Sequence, residues 1–287
     1  MKNLKHQFIP VNHLNLHVVT AGPEDGEPII LLHGFPEFWY GWHNQIEFLA
    51  ENGYRVIVPD QRGYNQSDKP KGLKNYHLDR LMADVIGLID YFGYETVYLA
   101  GHDWGAIVSW WVATHHPERL KKLAILNVPY LSVVRQSMLK GNILQALKSW
   151  YVLFFQLPWL PEFVIRTVSR RTPFMLDMSS HPTTFSDEDK ELYLEALHQP
   201  GAVTGMINWY RALRLVRDDI PAPEPGLIKT PTLILWGEQD VALSKELAEM
   251  SLALCENGRL HFFPKATHWV QHDEAEAVNK HLRGFFN

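Results

Sequence analysis

The sequence predicts an α/β chain: a mostly parallel, doubly wound sheet with helices on both faces and a helical cap inserted into it. Three features carry that expectation. Apolar runs of strand length alternate with helix-length segments up to about residue 126, the rhythm of parallel strands joined by helical crossovers. The alternation stops after Asn127-Val128-Pro129 and resumes only at Thr232-Leu233-Ile234-Leu235-Trp236-Gly237. Thirdly, the apolar run Thr96-Val97-Tyr98-Leu99-Ala100 leads directly into Gly101-His102-Asp103-Trp104-Gly105 and a helix candidate, Ala106 to His115. Glycine on both sides of one reactive residue marks a strained turn with no room for neighbouring side chains.

In chain order, Phe8 to Val11 and Leu14 to Thr20 read as two strands around an Asn12-His13 turn. Ile29-Ile30-Leu31-Leu32 is continuously apolar, as a strand covered on both faces should be. It ends in His33-Gly34-Phe35-Pro36, followed by an aromatic stretch and a helix to about Glu51. Arg55 to Pro59 is the next strand, and the breaker-rich Asp60 to Pro70 a long turn. Leu78 to Tyr91 places Leu81, Val85, Leu88 and Ile89 on one helical face, and Gly93 ends it. Leu123 to Leu126 is a strand after the Asp103 unit. From about Tyr130 to Gly226 only helix-like segments and proline-containing loops appear, with Pro221 to Gly226 as the linker out. A helix from about Ser244 to Leu254, a strand Leu260 to Phe263 and a helix Ala275 to Phe286 close the chain. The expected division is a core of residues 1–129 and 227–287 and a cap of residues 130–226.

Composition narrows the function classes. A chain of 287 residues, 46% hydrophobic and 21% charged, suits one large α/β domain with an insertion. The net charge of -5, without a basic block or phosphate-loop motif, argues against nucleic acid or nucleotide as a partner. One cysteine, Cys255, permits no internal disulfide. No signal-peptide core lies in Met1 to Pro10 and no stretch is long enough to span a bilayer, so a cytoplasmic location is expected. Trp150 to Pro161 is apolar but lacks a charged opposite face, so contact with a membrane surface is not expected. No cofactor is expected. Oligomeric state is not legible.

The chemistry starts from Asp103. A carboxylate at such a turn can attack carbon and form an alkyl ester. That ester then needs a base to activate water. His268, in the short loop between the last strand and last helix, is the candidate, with His272 as its rival. The two histidines could also suggest a metal, but no third ligand is evident, and no metal is expected. A histidine base works better when a carboxylate orients it. Asp240 stands just past the Trp236-Gly237 strand end, with Glu238 as its rival. The order Asp103, Asp240, His268 is the nucleophile–acid–base order of the α/β-hydrolase fold. The backbone N–H groups of Phe35 and Trp104 are the expected oxyanion donors, with Pro36 holding the first turn.

These blocks resemble the epoxide hydrolases of the α/β-hydrolase fold. His33-Gly34-Phe35-Pro36-Glu37, Gly101-His102-Asp103-Trp104-Gly105-Ala106, Trp236-Gly237-Glu238-Gln239-Asp240 and the loop around His268 match that family's blocks in order, roughly from Phe8 to Phe286. The resemblance implies two cap tyrosines that hydrogen-bond the epoxide oxygen. Tyr151 precedes a Phe155-Gln156 pair, and Tyr210 lies in Asn208-Trp209-Tyr210-Arg211. It thus implies a hydrolase that adds water to a small apolar epoxide to give a vicinal diol.

Related dehalogenases share the same blocks. A haloalkane dehalogenase with the same triad is the alternative, although Phe35 stands where such enzymes often carry Asn. Haloacid-type relatives usually have Arg where Trp104 stands. A non-enzymatic binding protein of this fold would tolerate loss of the acid or base, and both are present. Aromatic residues suit an apolar pocket, and Trp39, Phe154, Phe155 and Trp209 are the expected lining. The competing expectation is that some of them only pack cap onto core.

Overall fold

Valine, isoleucine and leucine runs of strand length assemble into one eight-stranded sheet in a computed structural model that describes residues 4–139, 141, 143–216 and 220–287. The first three residues of the N-terminal stretch, and residues 140, 142 and 217–219 of the expected cap, lie outside the described residues. The strands are β1 (Lys5–Val11), β2 (Leu14–Ala21), β3 (Glu27–Leu32), β4 (Tyr54–Pro59), β5 (Val97–His102), β6 (Leu120–Leu126), β7 (Thr232–Gly237) and β8 (Gly258–Phe263). Their order across the sheet is β1-β2-β4-β3-β5-β6-β7-β8. β1 and β2 form an antiparallel hairpin whose turn residues Asn12 and His13 have φ of 51° and 65°, the positive values that a tight hairpin turn requires. β2 pairs antiparallel with β4, and every later pairing is parallel.

Helices cover both faces because each parallel connection must cross back over the sheet. α1 (His43–Glu51), α2 (Leu78–Tyr91) and α3 (Trp104–His115) join the first parallel strands. Alternate strand residues divide between two cores, as a period of two dictates. Ile30 and Leu32 pack with α2 and α3, whereas Ile29 and Leu31 pack with α1 and the last helix. Between β6 and β7 the described residues form only helices: α4 (Leu131–Leu139), α5 (Ile143–Lys148), α6 (Trp150–Phe154), α7 (Leu160–Val168), α8 (Phe174–Ser179), α9 (Asp187–His198) and α10 (Ala202–Val216). α11 (Glu246–Leu252), α12 (Val270–Asp273) and α13 (Ala275–Phe286) complete the chain. No helix among the described residues is long and apolar enough to cross a membrane.

Strand and helix boundaries at the reactive turn differ from expectation. β5 runs on to His102 and α3 starts at Trp104, so Asp103 alone makes the turn, with φ 48° and ψ -121°. A non-glycine residue there is strained and persists only where its surroundings impose it. The flanking glycines show what imposes it. A Cβ on Gly105 would lie 2.1 Å from the Leu32 carbonyl oxygen, so the first turn of α3 sits directly against the end of β3. A Cβ on Gly34 would lie 2.2 Å from Cβ of Asp103. The Gly105 contact is with backbone, which side-chain rearrangement does not relieve. Gly105→Ala should therefore lower stability by about 3 kcal/mol, read as a lower denaturant midpoint. An unchanged midpoint would mean that β3 and α3 can separate freely.

Candidate active site

Every parallel strand points its carboxyl end to the same edge of the sheet, and ligands bind at that edge in open α/β sheets. The loops after β3, β5, β7 and β8 carry Phe35, Asp103, Asp240 and His268. The structure brings all four together. Phe35 N–H donates to Asp103 Oδ1 at 2.6 Å. His268 Nε2 lies 3.5 Å from Asp103 Oδ2, and its Nδ1 donates to Asp240 Oδ2 at 2.7 Å. The Phe35-Pro36 peptide is cis. Trp104 opens α3, so its N–H is among the first-turn donors without an intrahelical acceptor.

Asp240 is fully engaged. Its Oδ1 accepts the N–H groups of Ala242 at 2.7 Å and Leu243 at 2.9 Å. Its Oδ2 accepts His268 and, at 2.9 Å, the Asn127 side-chain amide. Burial opposes the charge of Asp240, but His268 and these donors together hold its pKa below the usual carboxylate value. The rival Glu238 pairs with Lys245 at 2.5 Å instead. Burial likewise opposes a charge on His268, yet the Asp240 and Asp103 carboxylates outweigh it and raise its pKa to about 10.

The two tyrosines of α6 and α10 meet above this group. Their ring centroids lie 5.9 Å apart, and the Tyr210 ring is 5.3 Å from Phe35 and 4.8 Å from Phe155. Burial raises both phenol pKa values, and the Asp103 carboxylate raises them further. A hydrogen bond with the Trp104 side chain opposes this at Tyr210. Neighbouring residues fix the pair. Gln156 donates to the Tyr210 carbonyl at 2.9 Å. Arg211 grips Glu162 of α7 with both terminal nitrogens, at 2.6 and 2.9 Å, and donates to the Phe155 carbonyl at 3.0 Å.

The expected aromatic lining divides. Phe155 packs on Phe35 and Tyr210, and Phe154 on Phe155. Trp209 is fully buried, and its indole N–H donates to the Arg62 carbonyl at 3.0 Å. It fastens α10 to the core, and Arg62 is itself clamped by Asp84 of α2. Trp39 packs against His6, Phe38 and Tyr40, and it is not among the rings that meet Tyr210.

Two supports escaped the sequence. Asn127, at φ 52°, donates to Asp240 and accepts the Gly237 N–H at 2.9 Å. Its only trace in the sequence is an asparagine at a strand end before Pro129. Glu37 is wholly buried and accepts His102 at 2.9 Å, His272 at 3.0 Å and the Tyr193 hydroxyl at 2.9 Å. Burial opposes its charge, but the two histidines hold its carboxyl well below the usual range. His272 is thus committed to Glu37, whereas His268 faces Asp103. His102 also donates through Nε2 to the His268 carbonyl at 2.9 Å, which fixes the loop that carries that imidazole.

A strained strand-to-helix turn in a mostly parallel sheet, with a histidine–carboxylate pair beside it, is the arrangement of a hydrolase fold, and comparison with known proteins agrees. The family model for the alpha/beta hydrolase fold matches residues 27–275. Over 281 residues the chain is 46% identical to the AB hydrolase superfamily protein YfhM of Bacillus subtilis (strain 168), covering 98% of this chain and 97% of that one. Over 277 residues it is 40% identical to Epoxide hydrolase 4 of Homo sapiens, covering 93% and 74%. The crystal structure of Bacillus megaterium epoxide hydrolase in complex with an inhibitor superposes with a TM-score of 0.85 at 29% identity, covering 98% of this chain and 100% of that one. The chain belongs to the epoxide hydrolases of the α/β-hydrolase superfamily.

The His268 charge has a consequence for stability. Its pKa rises from 6.5 to about 10 in the folded chain. The proton therefore favours folding in full below about 6.5, less as pH rises, and not at all above about 10. Thermal melts should show wild type ahead of His268→Gln at neutral pH, with the gap narrowing steadily up to about pH 10. A gap independent of pH would contradict a protonated resting imidazole.

Proposed function

We propose that the chain adds water to a small apolar oxirane through an alkyl ester on Asp103, with residues 130–226 acting as a cap over a core of residues 1–129 and 227–287. The observation that carries this reading is convergence on one carboxylate. A backbone N–H holds Oδ1 at 2.6 Å, an imidazole faces Oδ2 at 3.5 Å, and the rings of Tyr151 and Tyr210 meet 5.9 Å apart beside Phe35.

In the first step Oδ2 attacks a ring carbon and the ring C–O bond breaks, leaving its electron pair on oxygen. An alkoxide is a poor leaving group without a proton donor. Tyr151 and Tyr210 suit that role because their raised pKa values keep both phenols protonated. The alkoxide takes a phenol proton, and the phenolate recovers one from His268. Esterification also removes the negative charge of Asp103, one of the two carboxylates that hold the His268 proton. Having given up its proton, the imidazole stands as the base, oriented by Asp240.

In the second step His268 takes a proton from water as the water attacks Cγ of Asp103. The developing oxyanion is Oδ1, which already accepts the Phe35 N–H, with the Trp104 N–H as second donor. Collapse expels the diol oxygen, which takes the His268 proton, and the new carboxyl returns a proton to His268. Atoms and charges then match the resting state. The hydrogen bond between Trp104 and Tyr210 further favours an epoxide over a haloalkane, because that indole is the group related dehalogenases turn to the halide.

A single turnover in heavy-oxygen water with enzyme in excess should give unlabelled diol, since Oδ2 supplies the new oxygen. Label in that first diol would overturn the ester. His268→Gln should accumulate a substrate adduct on the peptide containing Asp103, visible by mass spectrometry. Replacing Tyr151 or Tyr210 singly with Phe should slow ring opening by roughly tenfold to a hundredfold, and replacing both by about a thousandfold or more. Equal losses in the single and double variants would contradict a shared role.

A further inference from the structure

We propose that the outer surface of α6 and α7 docks on an anionic lipid membrane. α6 has two different sides. Tyr151 turns toward Asp103, while its neighbours Trp150 and Leu153 are 61% and 75% exposed. Leu157 continues the exposed row, and Trp159 and Phe163 follow at 71% and 62% exposure. Phe163 and Arg166 are three apart on α7, so they share a side; Trp159 precedes its first residue and Arg170 lies two residues past its end. Trp159, Phe163, Arg166 and Arg170 also line one open groove of about 470 Å³. Trp159 has φ 51° at the start of α7, a left-handed backbone that is uncommon for a bulky residue.

Charge identifies the occupant. Residues 131–180 carry six basic and two acidic side chains; Lys148 turns inward to the Asp240 carbonyl, and Arg170 also borders Glu191 and Glu195 of α9, so the basic edge of the strip is Arg166, Arg170 and Arg171. Both acids are already paired within the protein, Glu162 with Arg211 at 2.6 Å and Asp177 with Lys190 at 2.9 Å. Arg166, Arg170 and Arg171 are exposed. An apolar strip with two tryptophans and a basic border matches the interfacial zone of a bilayer, where indoles sit at headgroup depth and arginines meet anionic lipid. A symmetric second copy would instead bring two positive faces together. The sequence offered no charged face for Trp150 to Pro161, because the arginines lie at and just past the end of the next helix and share a groove with Trp159 only after folding.

The docking rests on this surface alone. Its use rests on the reading above: an apolar epoxide dissolved in the bilayer would meet the outer side of the helix whose inner side carries Tyr151.

The test needs no substrate. The full chain is pelleted with sucrose-loaded vesicles of phosphatidylcholine, with and without phosphatidylserine. Binding to the mixed vesicles is expected, weakening as salt is raised. Trp159→Ala with Phe163→Ala should reduce the bound fraction at least about tenfold. Replacing Arg166 and Arg170 with Gln should reduce affinity by about fivefold each on anionic vesicles only. All four side chains are exposed, so unchanged thermal melts should show that these variants fold. No pelleting with anionic vesicles at low salt overturns the proposal, as does pelleting that the double variants leave intact. A wild-type dimer in light scattering that Trp159→Ala with Phe163→Ala splits, without lipid binding, also overturns it and assigns the strip to self-association. Loss of epoxide turnover in Asp103→Asn with lipid binding retained separates this surface from the chemistry.

Discussion

The contact between one carboxylate and one backbone amide organises this molecule. Asp103 accepts the Phe35 N–H from a turn that only close approach of two strand ends can impose. The approach needs Gly34 against the Asp103 side chain and Gly105 against the Leu32 carbonyl. Backbone strain is thus sustained by backbone packing between the ends of β3 and β5 and the start of α3. A loop on the surface would relax, and the carboxylate would lose its fixed relation to donor and base.

Around that contact, charge is arranged in two layers. The upper layer is the Asp103–His268–Asp240 series, in which two carboxylates share one imidazole. The lower layer is Glu37, buried between His102 and His272. Each buried charge has opposite charge or N–H donors beside it, as burial requires. The layers are joined by His102, which pairs with Glu37 and also donates to the His268 carbonyl. Glu37 further accepts the Tyr193 hydroxyl from α9. One buried carboxylate therefore connects the β3 turn, the β5 strand end, the loop after β8 and the helical segment between β6 and β7.

That segment is attached by apolar packing of Val203, Met206 and Ile207 in the main core and by polar contacts. Trp209 reaches the Arg62 carbonyl, Lys148 reaches the Asp240 carbonyl at 3.0 Å, and Arg211 ties α10 to α7. The Asp103–His268–Asp240 series sits in loops at the carboxyl edge of the sheet, and the donors proposed to meet substrate sit on the attached helices. Such a division lets the helices vary in shape while the charge series stays constant.

The sequence by itself determined the sheet and the turn at Asp103, because these depend on local patterns. Apolar alternation sets strands, glycine spacing marks close approach, and chain order places loops at one edge. It left His268 and His272 as rivals, and Asp240 and Glu238. Only the tertiary structure shows that His268 faces Asp103 and Asp240 while His272 meets Glu37 and Glu238 meets Lys245, because position along a loop does not say which side chain points inward. Trp209 was expected as pocket lining; that its indole N–H also ties α10 to the Arg62 carbonyl was not legible, since that carbonyl lies 147 residues away. Asn127 and Glu37 stayed hidden for the same reason: their partners are far along the chain, and a polar side chain shows its purpose only when burial has taken away its water.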